Sequence, residues 1–304
     1  MKVLSLFDGI SCARVALERA GIPVELYIAS EIDKYAIQIS SKNYPDIVHV
    51  GDVKDIAGVK DPLSCYSYDL LIGGSPCQDL SIAKRNRKGL SGDRSGLFWE
   101  YVRILLSCNP KYFILENVAS MPKEAMEEIT DILGVQPIMI NASLVSAQNR
   151  KRLFWTNIPN VTQPSDKGIL LKDILINGIA EREKSLVVTA TYSRACPQDY
   201  FGKSSRQLIK VGHFNKGGQG DRVYSIQGKS VTLSALGGGR GAKTGLYETN
   251  LGTYRKLHPI ECERLQGLPD NYTEGVSNTQ RYKTLGNAFN VDVVAHILSF
   301  IPNN

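Results

Sequence analysis

Two kinds of hydrophobic pattern alternate through the first half of the chain, and this alternation constrains the fold more than any other feature. Short continuous apolar runs, "KVLSLFD", "VELYIAS", "VHVGDV", "YDLLIGG", "KYFILENV" and "QPIMINASL", are separated by stretches with apolar residues at helical spacing, "CARVALERA", "KYAIQISSKNY", "LFWEYVRILLS" and "KEAMEEITDIL". A run that is apolar at successive positions has to be buried on both faces of its pleat, and the amphipathic stretches between such runs supply the cover. The class predicted is α/β, a doubly wound and mostly parallel sheet of the Rossmann-like kind. From about residue 160 the pattern gives way to short, polar, glycine-rich pieces, which predict a smaller, irregular, β-rich domain. Helical patterns return after about residue 255 in "HPIECERLQGL" and "NVDVVAHILSFI". The expected division is therefore 1–160 plus 285–304 for the first domain and 161–284 for the second.

At 304 residues and 42% hydrophobic content the chain can build both. The apolar start "MKVLSLFDGI" is interrupted by Asp8, and no stretch approaches the ~20 apolar residues of a membrane span. A soluble, cytoplasmic protein is expected. The six cysteines (12, 65, 77, 108, 196, 262) form no C-x-x-C pair and have no histidine at zinc-finger spacing, so neither a disulfide framework nor a metal is expected. The net charge of +6 is compatible with a nucleic-acid partner but equally with many cytosolic enzymes. Its distribution says more, because "KRNRKGLSGDR" (84–94), "KGGQGDR" and "GGGRGAK" gather positive charge into glycine-rich stretches.

In a doubly wound sheet, ligands sit outside the carboxyl ends of the strands. "FDGIS" (7–11) follows the first apolar run and leads into the first helix; it reads either as an ordinary turn or as a close approach to a ligand. Glu31, at the end of the second run, is either an ordinary exposed strand-end acid or one placed to bind ribose hydroxyls, and Asp52, at the end of the third, stands where an acid can accept from an adenine amino group. Without a phosphate-binding glycine loop, this set favours S-adenosylmethionine over a dinucleotide. "GGSPCQDLS" ends the next run and "ILENV" the one after, bringing Cys77 near Glu116. Free cysteine commonly packs as a small hydrophobe, and a carboxylate ending an apolar run is costly unless it meets a polar partner. In "SAQNRKRLFW", Arg150 and Arg152 take alternate positions of an expected strand and hence one face. They are either a solvated pair or guanidinium groups that favour a thiolate.

The ordered set "FDGIS", "SEID", "GDV", "GGSPCQ", "ENV", "QNRKR", "RKLHPIECERLQGLP" and "GNAF" resembles the motif series of the DNA cytosine-5 methyltransferases, in that family's order and over nearly the whole chain. The resemblance implies that Cys77 is the nucleophile on carbon 6 of a cytosine flipped out of the duplex, with Glu116 at N3 and Arg152, supported by Arg150, at O2. It places Phe7, Gly9, Glu31, Asp52, Pro76, Leu97 and Asn287 around S-adenosylmethionine. The first loop departs from the family pattern, reading Ser11-Cys12 where many members have paired glycines. The resemblance also implies that "LSIAKRNRKGLSGDRSG" (80–96) closes over DNA, with Lys84 and Arg85 among its phosphate contacts.

Within the middle segment, "KGGQGDRVYS" and "SVTLSALGGGRGAKTGLY" resemble the target-recognition region of HhaI-type bacterial enzymes, which modify GCGC. That likeness puts Gln219 opposite the orphaned guanine, Arg222, Leu236 and Gly239 at base contacts and Thr232 on the backbone, with Leu236 standing where an aromatic residue is the rule. The implied partner is double-stranded DNA, bound by a monomer with no obligate protein partner. Competing readings are an RNA cytosine-5 methyltransferase on the same core, and a non-catalytic methyltransferase-like DNA-binding subunit. The glycine-rich segment disfavours the first, and the presence of Cys77, Glu116 and Arg152 disfavours the second.

Overall fold

The computed structural model describes residues 1–56, 67–75, 96–176, 210–213, 222–224, 226, 228–230, 246–248, 254–255 and 258–302, with backbone alone for 210–213, 222–223, 246–248 and 254–255. In chain order it has β1 (Lys2–Leu6), α1 (Cys12–Arg19), β2 (Leu26–Ser30), α2 (Lys34–Asn43), β3 (Val48–Gly51), β4 (Leu70–Gly74), α3 (Leu97–Cys108), β5 (Tyr112–Val118), α4 (Lys123–Leu133), β6 (Ile138–Asn141) and β7 (Lys151–Thr156). There follow β8 (Lys210–His213), β9 (Arg222–Tyr224), β10 (Leu246–Glu248), β11 (Tyr254–Arg255), α5 (Pro259–Leu265), α6 (Asn278–Asn287) and α7 (Val291–Leu298).

Contacts divide the chain into two compact units, 1–141 with 151–164 and 291–304, and 142–150 with 165–290. The first holds a seven-stranded sheet in the order β3-β2-β1-β4-β5-β7-β6. The strands from β3 to β5 run parallel to their neighbours, while β7 is antiparallel to both β5 and β6. The order reverses between β1 and β4. Because crossovers between parallel strands are right-handed, helices before and after that reversal fall on opposite faces. The buried side chains agree with this. Leu4 and Leu6 of β1, Ile28 of β2, Leu71 of β4, Phe113 and Leu115 of β5 and Trp155 of β7 form one cluster with Phe98, Tyr101 and Ile104 of α3 and Ile129 of α4. Period-two spacing turns these strand residues to a single face, and each fully buried large apolar side chain contributes about 1.5–3 kcal/mol. The C-terminal helix α7 packs against α1 in the same unit. This is the doubly wound, mostly parallel, Rossmann-like sheet, closed on one side by an antiparallel pair.

One residue of β4 illustrates the closeness of the packing. A side chain on Gly73 would place its first carbon 2.9 Å from the Leu6 carbonyl oxygen of β1, so this position admits glycine alone without a shift of backbone.

Among the described residues the second unit holds a four-stranded sheet, β11-β10-β9-β8, and the helices α5 and α6. Pro259 begins α5, and the His258 amide is accepted by Glu261 at 2.7 Å, a reciprocal cap written in the sequence "HPIE". Glu263, fully buried, accepts from the amides of Asn271 (2.7 Å) and Thr273 (2.8 Å) and from the Arg281 guanidinium (2.8 Å). A buried carboxylate with this many donors ties α5, the following turn and α6 together.

Residues 142–150 and 285–290 belong to the second unit. The hydrogen bonds of "SAQNR" give the reason. Ser146 and Gln148 donate to the Leu265 carbonyl at 2.7 and 3.2 Å, and residues 147–149 pair with Ser230.

Candidate functional site

The carboxyl ends of β1 and β2 are knitted together by a loop of unusual backbone geometry. Phe7, Gly9 and Ser11 all lie in the left-handed region, with φ of 55°, 63° and 59°. For Phe7 and Ser11 this conformation costs roughly 1–2 kcal/mol each, so surrounding contacts must hold it. The loop presents the Gly9 amide to the Glu31 carboxylate at 2.8 Å, while the other Glu31 oxygen accepts from the amides of Ile32 and Asp33, each at 2.8 Å. Glu31, one residue beyond β2, is thus fixed by three backbone donors, and each oxygen keeps acceptor capacity. No atom lies within 4 Å of where a Gly9 side chain would begin, so space is open above the loop. Asp52, one residue beyond β3, caps a short 3-10 turn by accepting from the Lys54 amide at 3.0 Å. Ser30 of β2 donates to the Gly51 carbonyl at 2.8 Å, joining the ends of β2 and β3. An oriented acid for vicinal hydroxyls, a second acid at the next strand end and an open glycine turn fit the nucleoside part of S-adenosylmethionine. Leu97 opens α3 and packs on the core, whereas Asn287 is the exposed last residue of α6, in the second unit.

The next two strand ends carry the polar pair. β4 and β5 are in register, with Gly74 opposite Glu116. Glu116 accepts from Arg152 Nε at 2.7 Å, and the two side chains are only 13% and 16% exposed. The pairing follows from β7 running antiparallel beside β5. Asn117, next to Glu116 and fully buried, donates to the Ser75 hydroxyl at 3.2 Å and accepts from the Val118 amide at 2.8 Å. Ser75 is the last described residue before Cys77. Cys77 and Pro76 lie outside the described residues, as do Lys84, Arg85, Gln219, Thr232, Leu236 and Gly239; Arg222 is described by its backbone in β9.

Arg150 does not share a strand face with Arg152. β7 begins at Lys151, and Arg150 is buried (3% exposed) in the second unit, donating to the carbonyls of Gly286 (3.3 Å) and Ala288 (2.9 Å). Those carbonyls flank Asn287, so Arg150 joins "QNRKR" to "GNAF". A guanidinium buried on two carbonyls satisfies a backbone turn that would otherwise leave its acceptors unmet.

The first strand-end loop contains a further acid that the sequence does not single out. Asp8 is buried, and burial pushes its carboxyl above the usual range against the opposing effect of hydrogen bonds from hydroxyl groups. The signal present in the sequence is an acid immediately after an apolar strand, but "FDGIS" reads as a turn and conceals it. The other thiols separate clearly. Cys12 and Cys262 are buried, and burial, with Glu261 and Glu263 nearby, raises the Cys262 thiol far above the range in which it would ionise.

A model of the family described as C-5 cytosine-specific DNA methylase matches residues 1–303. The chain is 32% identical over 327 residues to the type II methyltransferase M.HhaI of Haemophilus parahaemolyticus, covering 100% of this chain and 94% of that one. It is 36% identical over 328 residues to the orphan methyltransferase M.SPRI of Bacillus phage SPR, covering 89% and 73% of the two chains. Among solved structures, the Entamoeba histolytica methyltransferase EhMeth superposes with a TM-score of 0.72 over 99% of this chain and 97% of its own, at 20% identity.

Proposed function

The chain belongs to the C-5 cytosine-specific DNA methylase family and is a DNA cytosine-5 methyltransferase, and from that premise we propose the way its own residues carry out the reaction and choose the target. The observation that carries the proposal is the Glu116–Arg152 pair at the end of β5, beside the strand end that leads to Cys77.

Carbon 5 of cytosine is a weak nucleophile and lies within the base stack, so the base is taken out of the duplex before reaction. The Cys77 thiolate adds to carbon 6. Glu116, held by Arg152, delivers a proton to N3 and so neutralises the negative charge that addition places on the ring, while Arg152 also reaches O2. S-adenosylmethionine, held at the β1–β3 ends, would supply the electrophilic methyl group for carbon 5, its sulfonium leaving as the neutral thioether. Loss of the carbon 5 proton and departure of Cys77 restore the aromatic ring. Phe7, Gly9, Glu31 and Asp52 would hold the cofactor, with Pro76 and Leu97 beside them. The enzyme works in the cytoplasm as a monomer on DNA, and the second unit reads the sequence.

The proposed target has a GC core, with GCGC the leading candidate. The support is the paired likeness of "KGGQGDR" and "TLSALGGGRGAKTG" to one recognition type, together with 32% identity to M.HhaI along the whole chain. Gln219 offers a donor and an acceptor to the orphaned guanine, and Arg222 offers a fork to a guanine edge. Leu236 lacks the expected ring, so the outer base pair is relaxed or changed while the central step persists. Bisulfite sequencing of DNA from cells expressing the protein is expected to show methylated cytosines preceded by guanine in a short palindrome. Methylation confined to CCWGG, or at CpG regardless of the preceding base, would overturn the target, and methylation of tRNA without methylation of duplex DNA would overturn the substrate.

Neutralising Lys84, Arg85, Arg87 and Lys88 is expected to weaken binding to every duplex alike. The plot of log affinity against log salt should flatten by roughly 0.9 for each phosphate that the altered loop no longer neutralises. A changed sequence preference with an unchanged slope would mean that these residues read bases.

A further inference from the structure

The Asp8 carboxylate is buried, and the donors around it run in one direction. One oxygen accepts from the Ser11 hydroxyl at 2.5 Å and the other from the Tyr27 hydroxyl at 2.7 Å. Because the Ser11 proton is committed to Asp8, the 2.6 Å contact between the hydroxyls of Ser11 and Ser40 must be donated by Ser40. The Ser40 oxygen is then left as an acceptor toward His49 Nε2, 3.3 Å away. Asp8 is the terminal acceptor of this chain. The backbone on either side is constrained too, with the Asp8 amide on the Ser30 carbonyl at 3.1 Å and the Ser11 amide on the Asp8 carbonyl at 3.2 Å. Between them lies Gly9, whose amide meets Glu31.

We propose that Asp8 is a positioning residue of the cofactor site, clamping Ser11 and Tyr27 so that the Phe7–Ser11 loop keeps the left-handed backbone that presents the Gly9 amide to Glu31. Ser11 is a non-glycine residue held at φ 59°. Glycine adopts that conformation freely; a serine there needs an external hold, and the Asp8 carboxylate supplies it. The acid and the left-handed serine are thus two halves of one device. The role in cofactor binding rests on the S-adenosylmethionine reading above, but the clamp itself does not.

The test uses the full-length protein without DNA, with Asp8→Asn, Ser11→Ala and Ser11→Gly. Two quantities are read: affinity for S-adenosylmethionine by calorimetry, and amide hydrogen exchange at Gly9 in the cofactor-free protein. Asn can accept from only one of the two hydroxyls, and Ala removes the hydroxyl while keeping the side-chain carbon that disfavours the left-handed region. Both changes are expected to weaken cofactor binding about tenfold, the equivalent of one hydrogen bond, and to speed Gly9 exchange by a similar factor. Ser11→Gly should stay within about threefold of the parent, because glycine needs no clamp. DNA affinity measured without cofactor should not change. If Asp8→Asn fails to fold, the Ser11 pair decides the matter. The proposal is overturned if Ser11→Ala matches Ser11→Gly in both readouts, if neither readout moves, or if DNA affinity falls in parallel. A parent protein that does not bind S-adenosylmethionine would sink the cofactor reading, leaving Gly9 exchange to decide the clamp.

Discussion

Cys77→Ser is expected to cut methyl transfer by on the order of 10⁴-fold or more, as loss of an attacking nucleophile generally does, while binding of S-adenosylmethionine stays within about twofold of the parent. A serine hydroxyl at neutral pH is too weakly ionised to add to carbon 6. The groups proposed to hold the cofactor, Gly9, Glu31 and Asp52, sit at other strand ends. The control lies in the remaining cysteines. Cys12→Ser and Cys262→Ser replace thiols buried in packing, so their cost should appear as lower thermal stability, with turnover per folded molecule retained. Single-turnover transfer of a labelled methyl group, with a parallel melting curve, separates the two effects. Full activity in Cys77→Ser would end the covalent mechanism.

Glu116→Gln should be the next most damaging change, lowering turnover by about 10²–10⁴-fold, the usual contribution of a positioned acid or base. The amide keeps the shape of the side chain but can neither carry the Arg152 ion pair nor exchange a proton with the base. The step affected is the addition of Cys77, so the rate at which a covalent complex forms with a duplex carrying 5-fluorocytosine is the direct measurement. Arg152→Gln is expected to slow the same step by a smaller factor, because it leaves Glu116 present but without the 2.7 Å contact that orients it. If Glu116→Gln trapped the fluorinated duplex at the parent rate, the acid would have to act after addition or not at all.

The strand ends that matter are legible because each closes a continuous apolar run, and such runs admit few other structures. Glu31 and Asp52 are found one residue past the ends of β2 and β3, and Glu116 two residues before the end of β5, for this reason. Arg150 is misleading in the sequence because two arginines around a lysine imitate strand alternation. Its environment is set by Gly286 and Ala288, which lie 136 and 138 residues away and leave no local trace. Asp8 is concealed for the same kind of reason. Its partner Tyr27 is 19 residues distant, and the Ser11–Ser40 contact spans 29. Periodicity reports which face a residue occupies but not which hydroxyl group will meet it there.

The chain passes between its two units at 141–142, 150–151, 164–165 and 290–291. No single cut can therefore release either unit as one continuous polypeptide. A chimaera made to alter sequence preference cannot be built by fusing the front of one relative to the back of another, since residues 142–150 and 265–290 would then come from different parents across the hydrogen bonds of Ser146, Gln148 and Arg150. Grafts confined between about residues 210 and 255 leave those side-chain bonds with one parent and cross the backbone pairing of 147–149 with Ser230, and such internal exchange is the way to test the proposed recognition segment while keeping the two ends of the second unit together.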